Sequence, residues 1–235
     1  TLLGDDDALD RFAELFDGLR DRVLLAYNSG RFVASVLDSV RATALPMPDA
    51  VIGGVGTQVH LLNLGSPAAA WPTVNGDWNA QLVRRVAMAR GQLEPQPEHL
   101  QSQYKVSFFG YDLSPAYLSG LEVDCTRAGL AVRIVYSSSR DLDILPATAG
   151  KGKATAFLAE QLQVAAERVI VAGDSGNDLA MFAEGFAGIV VANAHAELKS
   201  LQGDRVYHAQ AGYAAGVAEG LQHWLSRAAD ATCAS

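Results

Sequence analysis

At 235 residues the chain is long enough for one large domain, or for a core carrying a smaller insertion. Hydrophobic residues make up 49% and charged ones 19%, an ordinary globular balance with ample material for a core. The net charge of −8 argues against nucleic acid as the main partner, although a bound divalent cation and a few Lys or Arg can still gather an anionic small molecule. Asp5, Asp6 and Asp7 open a first helix, the acidic start suiting the positive end of its dipole, with Leu9, Phe12, Leu15 and Phe16 at helical spacing. A buried-type strand over 22–27 runs into Asn28-Ser29-Gly30-Arg31, and a helix follows through Val33, Val36 and Val40. A third element, the strand over 49–53, ends in the flexible Gly53-Gly54-Val55-Gly56, with a hairpin-like excursion over 58–62. Residues 64–72, rich in Gly, Ser, Pro and Ala, read as a loop.

From Asp77 the pattern changes. A helix over 78–87, a polar connection over 92–103, a strand over 104–109, a helix over 115–128 and strands over 131–136 and 142–145 predict an inserted α/β module, residues 77–147. Residues 1–76 and 148–235 then form the core around it. Lys151 opens an amphipathic helix through Leu162, and Val169 to Ala172 form a β-branched apolar run without alternation, as in a strand covered on both faces. Strands over 188–191 and 206–208 and a helix over 213–225 close the domain, with a tail after Arg227 expected to fray. Core strands alternating with helices predict an α/β fold: a doubly wound, parallel, Rossmann-like sheet with an inserted α/β cap.

Chemistry concentrates in Gly173-Asp174-Ser175-Gly176-Asn177-Asp178, directly after the apolar strand. Two carboxylates at the carboxyl end of a parallel strand sit where open α/β sheets bind ligands, and hard oxygen donors there suit Mg²⁺. Asp174 and Asp178 are therefore the expected metal ligands. Ser29 and Gly30 offer a hydroxyl and free amides at a helix start, a ready anion site, beside Arg31. Lys151, which alone reads as a surface lysine, is placed to neutralise charge on a transferring phosphoryl group. Lys105 and Arg140 in the insertion, with Asp141 and Asp143 near Arg140 and Gln58 on the core side, are the expected contacts to substrate hydroxyls. The two cysteines, Cys125 and Cys233, show no metal spacing, so a reducing, cytoplasmic setting is expected. No apolar run approaches the roughly 18 to 20 residues of a membrane span, and no signal peptide is visible. A monomer is expected.

These motifs resemble, in order, those of the haloacid-dehalogenase-like phosphatases. The branch with a large inserted cap, which includes the sucrose-phosphate phosphatases, is the most similar. Ser29 matches that family's second motif, Lys151 its third and the acidic stretch 173–178 its fourth. Val55-Gly56-Thr57-Gln58, Tyr104-Lys105-Val106-Ser107 and 136–146 are similar to segments of the sucrose-phosphate group. The resemblance implies a Mg²⁺-dependent phosphatase acting on a sugar phosphate, most closely sucrose 6-phosphate or a related disaccharide phosphate. It implies catalytic roles for Lys151, Asp174 and Ser29, and substrate contacts from Ser29, Gly30, Arg31, Gln58, Lys105, Arg140 and Asn177. One departure stands out. The family's first motif, an Asp nucleophile with an Asp acid/base two residues later, ends a first strand, and Thr1-Leu2-Leu3-Gly4-Asp5 resembles the segment immediately after that motif. The first strand and nucleophile are thus expected just upstream of Thr1, and the chain as given is expected to be inert. Asp5 and Asp7 are the other pair considered, with too few residues before them for a buried strand. The rival to an enzyme is a non-catalytic sugar-phosphate-binding domain, of a kind that can be fused to a glycosyltransferase. A receiver-like signalling domain is a third reading, disfavoured by the insertion and the separate Lys151 helix.

Overall fold

The computed structural model describes residues 1–62 and 71–233, with side chains to residue 228. The loop expected over 64–72 lies outside the described residues except for Trp71 and Pro72. The chain begins with α1 (Asp6–Asp17), whose first turn is capped by the Asp5 carboxylate accepting from the Ala8 amide at 2.9 Å. Next come β1 (Ala26–Asn28), α2 (Val33–Ala42), β2 (Ala50–Gly53) and β3 (Gln58–Leu61). β1 and β2 are parallel, with Tyr27 opposite Val51, and β3 returns antiparallel along β2. Both faces of β2 are buried: Val51 packs with Val33, Val36 and Val40 of α2, while Ala50 and Ile52 meet Ala154 and Leu158 of α5 (Lys151–Gln161). That double cover explains why the strand reads as unbroken apolar sequence.

A second group of strands, β8 (Ile170–Gly173), β9 (Ala187–Val190) and β10 (Val206–His208), is wholly parallel in the order β10-β9-β8. Its far face is covered by α8 (Tyr213–Cys233), with Leu221 on Ile189, and α8 also packs on Ala8, Leu9 and Phe12 of α1. α8 runs past the expected end of the closing helix at 225 and continues to Cys233, a stretch containing the strong helix formers Ala228, Ala229 and Ala231. The strand expected over 22–27 is also shorter. Leu25 bonds through its amide to the Asp49 carboxylate at 2.8 Å, and the ladder starts only at Ala26.

The two parallel groups are not hydrogen-bonded to each other. A cavity of about 1160 Å³ includes the space between β1 and β8, walled by Ala26 and Asn28 on one side, Ile170 and Ala172 on the other, and Leu158 of α5. Asn28 Oδ1 is buried there without a hydrogen-bond partner.

Between β3 and α5 the chain builds a separate four-stranded antiparallel sheet in the order β4-β5-β7-β6, from β4 (Glu94–Pro95), β5 (Val106–Phe109), β6 (Val132–Ser137) and β7 (Asp141–Pro146). Register assigns its faces. Val106, Ile144 and Ile134 lie side by side, and with Phe108, Leu142 and Val132 they pack under α3 (Ala80–Ala89) and α4 (Pro115–Arg127). The alternate row, Ser107-Asp143-Val135 and Leu145-Arg133, faces the other way. Leu145 and Val135 from this row join Val55 and Ala149 in a small apolar cluster where the two sheets' modules meet. β6, an edge strand, runs against Gly176–Asp178. No helix among the described residues is long and apolar enough to cross a membrane.

α5 approaches the short helix α6 (Leu179–Phe182) so closely that a Cβ on Gly152 would stand 2.1 Å from the Ala180 carbonyl oxygen. Backbone cannot yield there as a side chain would. Gly152→Ala is expected to cost roughly 1–3 kcal/mol, read as a lower denaturant midpoint at unchanged slope; an unchanged midpoint would show that the helices can part freely.

Candidate active site

Three chain segments converge at the carboxyl ends of β1 and β8. The first is the turn after β8. Gly173 is required because a Cβ would meet Asp178 Cβ at 2.6 Å, and the Asp178 carboxylate folds back to accept the amides of Asp174 (3.0 Å) and Ser175 (3.1 Å). Asp178 is 2% exposed and its other oxygen accepts from Lys151 Nζ at 2.6 Å. The second segment is the start of α5. Lys151, 5% exposed, also donates to Asn177 Oδ1 at 3.0 Å, and Ser175 Oγ donates to the same oxygen at 2.9 Å. The Lys151 carbonyl accepts from Asn28 Nδ2 at 3.1 Å, which ties α5 to the end of β1. The third is the turn after β1. Ser29 is fixed by its amide to Ile52 and by its carbonyl to Val55, and Gly30 faces Asn177 Nδ2 at 3.7 Å from an ideal Cβ position.

Ser29, Gly30, Lys151, Asp174, Ser175 and Asn177 all line the cavity that runs on between β1 and β8. Asp174 is the carboxylate that opens into it. One of its oxygens accepts from the Thr1 hydroxyl at 2.6 Å. Burial pushes its carboxyl up, while the Thr1 hydroxyl bond and the Lys151 ammonium push it down.

The other expected site residues behave differently. Asp178, expected as a metal ligand, has both oxygens occupied by Lys151 and the two amides, so it braces the site instead of opening to it. Arg31 lines the cavity, but its guanidinium is held along α2, donating to Ser35 Oγ at 2.9 Å and Ser39 Oγ at 2.9 Å. Gln58 Oε1 accepts from the Val33 amide at 3.0 Å, substituting for the helix cap that Phe32 cannot provide. Arg140 lies at the β6–β7 turn, at the opposite end of β7 from the link into α5, and holds Asp141 at 2.8 Å. Lys105 is buried on the antiparallel sheet's Ser107-Asp143 row, with Asp143 Oδ1 at 2.8 Å, the Leu100 carbonyl at 3.1 Å and Ser107 Oγ taking its three donors. No proton remains on Lys105 for a sugar hydroxyl. Its ammonium sits 5.6 Å from the Phe32 ring centre, across from the Ser29 turn.

Asn28 and Arg133 are the residues that sequence reasoning did not assign. For Arg133 the signal was present, a single charge in the apolar run Val132-Arg133-Ile134-Val135.

A family model of sucrose-6F-phosphate phosphohydrolases matches residues 1–225. The chain belongs to this family. Within the same lineage it is 40% identical over 230 residues to the mannosylfructose-phosphate phosphatase of Agrobacterium fabrum, covering 95% of this chain and 93% of that one. It is 32% identical to sucrose-phosphatase 2 of Nicotiana tabacum, covering 92% of this chain but 54% of the plant protein, so it spans about half of that relative's length. The crystal structure of the Synechocystis sucrose-phosphatase, solved with sucrose and phosphate, superposes with a TM-score of 0.86 at 28% identity over 94% of this chain and 93% of the other. A haloacid-dehalogenase subclass IIB sugar phosphatase shares the fold at a TM-score of 0.67 and 10% identity. Membership in this family makes the chain a phosphoric monoester hydrolase with a haloacid-dehalogenase-like α/β fold.

Proposed function

We propose that this chain forms the catalytic body of a Mg²⁺-dependent sugar-phosphate phosphatase whose substrate is sucrose 6-phosphate or a related disaccharide phosphate. The observation that carries this reading is the joining of Ser29-Gly30, Lys151 and Asp174 around one cavity mouth at the carboxyl ends of parallel strands. Ser29 Oγ and the Gly30 backbone meet phosphate oxygens, and Lys151 stabilises the charge that spreads over them in the transition state. Asn177 fixes the Lys151 ammonium from one side and Asp178 from the other. Asp174 holds Mg²⁺, for which a single open carboxylate completed by water and phosphate oxygens is a usual donor set. When bound, Mg²⁺ supplies Lewis-acid charge neutralisation on the phosphoryl group.

The nucleophile in this reading is a carboxylate at the end of a further parallel strand that lies upstream of Thr1 and fills the space between β1 and β8. Two features support it: the cavity walled by the facing edges of β1 and β8, and the buried, unpartnered Asn28 Oδ1 beside it. Thr1, on the Asp174 carboxylate, stands where such a strand would leave the sheet. Residues 77–147 act as a cap whose core-facing strand β6, with Arg133 and Val135, closes over the site. The buried free thiol of Cys125 suits a reducing cytoplasm.

Asp174→Asn in the full-length protein tests the metal assignment. Turnover of sucrose 6-phosphate should fall on the order of 10²-fold, with a higher Mg²⁺ requirement and an unchanged melting temperature. Full turnover at ordinary Mg²⁺ would remove Asp174 from the metal site.

A further inference from the structure

Below the cap, a cleft of about 360 Å³ is lined by Arg133 and Val135 of β6, and by Gly150, Lys151, Gly176 and Asn177 of the core. Arg133 is the strand's one charge, and it stands on the row that faces the core, opposite Leu145. Its guanidinium lies over Gly150: a Cβ there would come within 3.0 Å of Arg133 Cδ and 3.2 Å of Nε. Gly150, at φ +120, is the residue immediately before Lys151. Arg133 Nε is buried with no hydrogen-bond partner, and its guanidinium has neither hydrogen bond nor ion pair with any described residue. Arg133 as a whole is half-buried, and the two buried lysines nearby are matched: Lys105 has Asp143 and Lys151 has Asp178. Arg133 alone among these is left uncompensated.

A buried donor without an acceptor costs free energy in the isolated protein, and a planar guanidinium pairs best with a carboxylate or phosphate. Lys151 beside it is neutralised by Asp178, so the net excess positive charge at this point of the cleft belongs to Arg133. We propose that Arg133 binds the phosphoryl oxygens of the substrate from the cap side, so that the phosphate group itself draws the cap onto the core. The assignment rests on the sugar-phosphate reading above and extends it: the cap senses the phosphate as well as the sugar. A dephosphorylated product then loses its grip on Arg133, and the cap has less to hold it closed.

The test uses the full-length protein with Mg²⁺, and compares wild type with Arg133→Gln and Arg133→Lys. Inorganic phosphate binding is read by calorimetry, and KM and kcat on sucrose 6-phosphate and p-nitrophenyl phosphate by phosphate release. Arg133→Gln should weaken inorganic phosphate by about 10- to 100-fold and raise KM on both esters by a similar factor. Binding of free sucrose should be unaffected, and Arg133→Lys should recover part of the loss. Unchanged phosphate affinity in Arg133→Gln overturns the proposal, and so does a wild type that binds no phosphate. Loss confined to sucrose 6-phosphate would assign Arg133 to the sugar and also overturn it. If wild type hydrolyses no sugar phosphate but phosphate binding still depends on Arg133, the function reading falls and this one stands. Should Arg133→Gln fold poorly, Arg133→Lys alone decides: phosphate affinity equal to wild type counts against the proposal.

Discussion

Replacing Lys151 with alanine should lower turnover by about 10²-fold or more and also destabilise the fold. The first effect comes from removing a preorganised cation from the charge that develops on a transferring phosphoryl group. The second comes from burial. Lys151 is 5% exposed and Asp178 2% exposed, so truncating the lysine leaves a carboxylate inside the protein without its cation. Breaking such a pair from one side typically costs about 3–5 kcal/mol. Residue type alone reads Lys151 as a surface lysine, whose loss would cost turnover more than stability, and the Asp178 contact at 2.6 Å adds a stability cost. Lys151→Ala combined with Asp178→Asn separates the two effects. Asparagine still accepts the Asp174 and Ser175 amides through its oxygen but carries no buried charge, so the double variant should regain much of the melting temperature while turnover stays low. A double variant as unstable as the single one would mean that Lys151 supports α5 by packing alone.

The second large effect is expected at Lys105. Lys105→Ala should cost about 3–5 kcal/mol, because Asp143 is then left beside Ser107 with no cation on a covered sheet face. Lys105→Met with Asp143→Leu removes both charges together and should lie close to wild-type stability, as paired hydrophobic replacements often do. Thermal melts of the three proteins check this. The recognition role expected from sequence predicts a selective rise in KM for the disaccharide phosphate in Lys105→Ala at unchanged melting temperature. That pattern, if observed, would show that the ammonium leaves Asp143 to meet substrate.

The parts of this molecule that were legible in the sequence share one property: their signal is local. Val169 to Ala172 predicts a strand, and Ile170–Gly173 is one, although its Ile170 and Ala172 face is half-buried on the cavity and not covered; Asp5 predicts a helix cap, and its carboxylate accepts the Ala8 amide. The acidic turn 173–178 could be located because strand, Gly and Asp succeed one another within a few residues. What residue type could not reveal was where a long side chain spends its hydrogen bonds. Arg31 comes after a Ser-Gly turn as a phosphate ligand would, yet Ser35 and Ser39 at helical spacing hold it along α2. Gln58 serves a helix 25 residues away in sequence, and Asp178 serves Lys151 27 residues away; neither partner is marked in the stretch that carries them. Arg133 escaped for the opposite reason. A lone arginine in a strand has no motif, and its interest comes from having no partner among the described residues.

Val55 draws the two modules into one mechanical unit. It stands at φ 59, a left-handed backbone that a β-branched residue strongly resists, between Gly54 at φ 57 and Gly56 at φ 85. Such a conformation stores about 1–3 kcal/mol and persists only where surrounding contacts over-determine it. Here those contacts come from Leu145 and Val135 of the second sheet and Ala149 of the link. The core fixes the same turn by the Val55 amide on the Ser29 carbonyl and by the Gly56 and Thr57 amides on Gly53, so one residue is clamped from both modules at once.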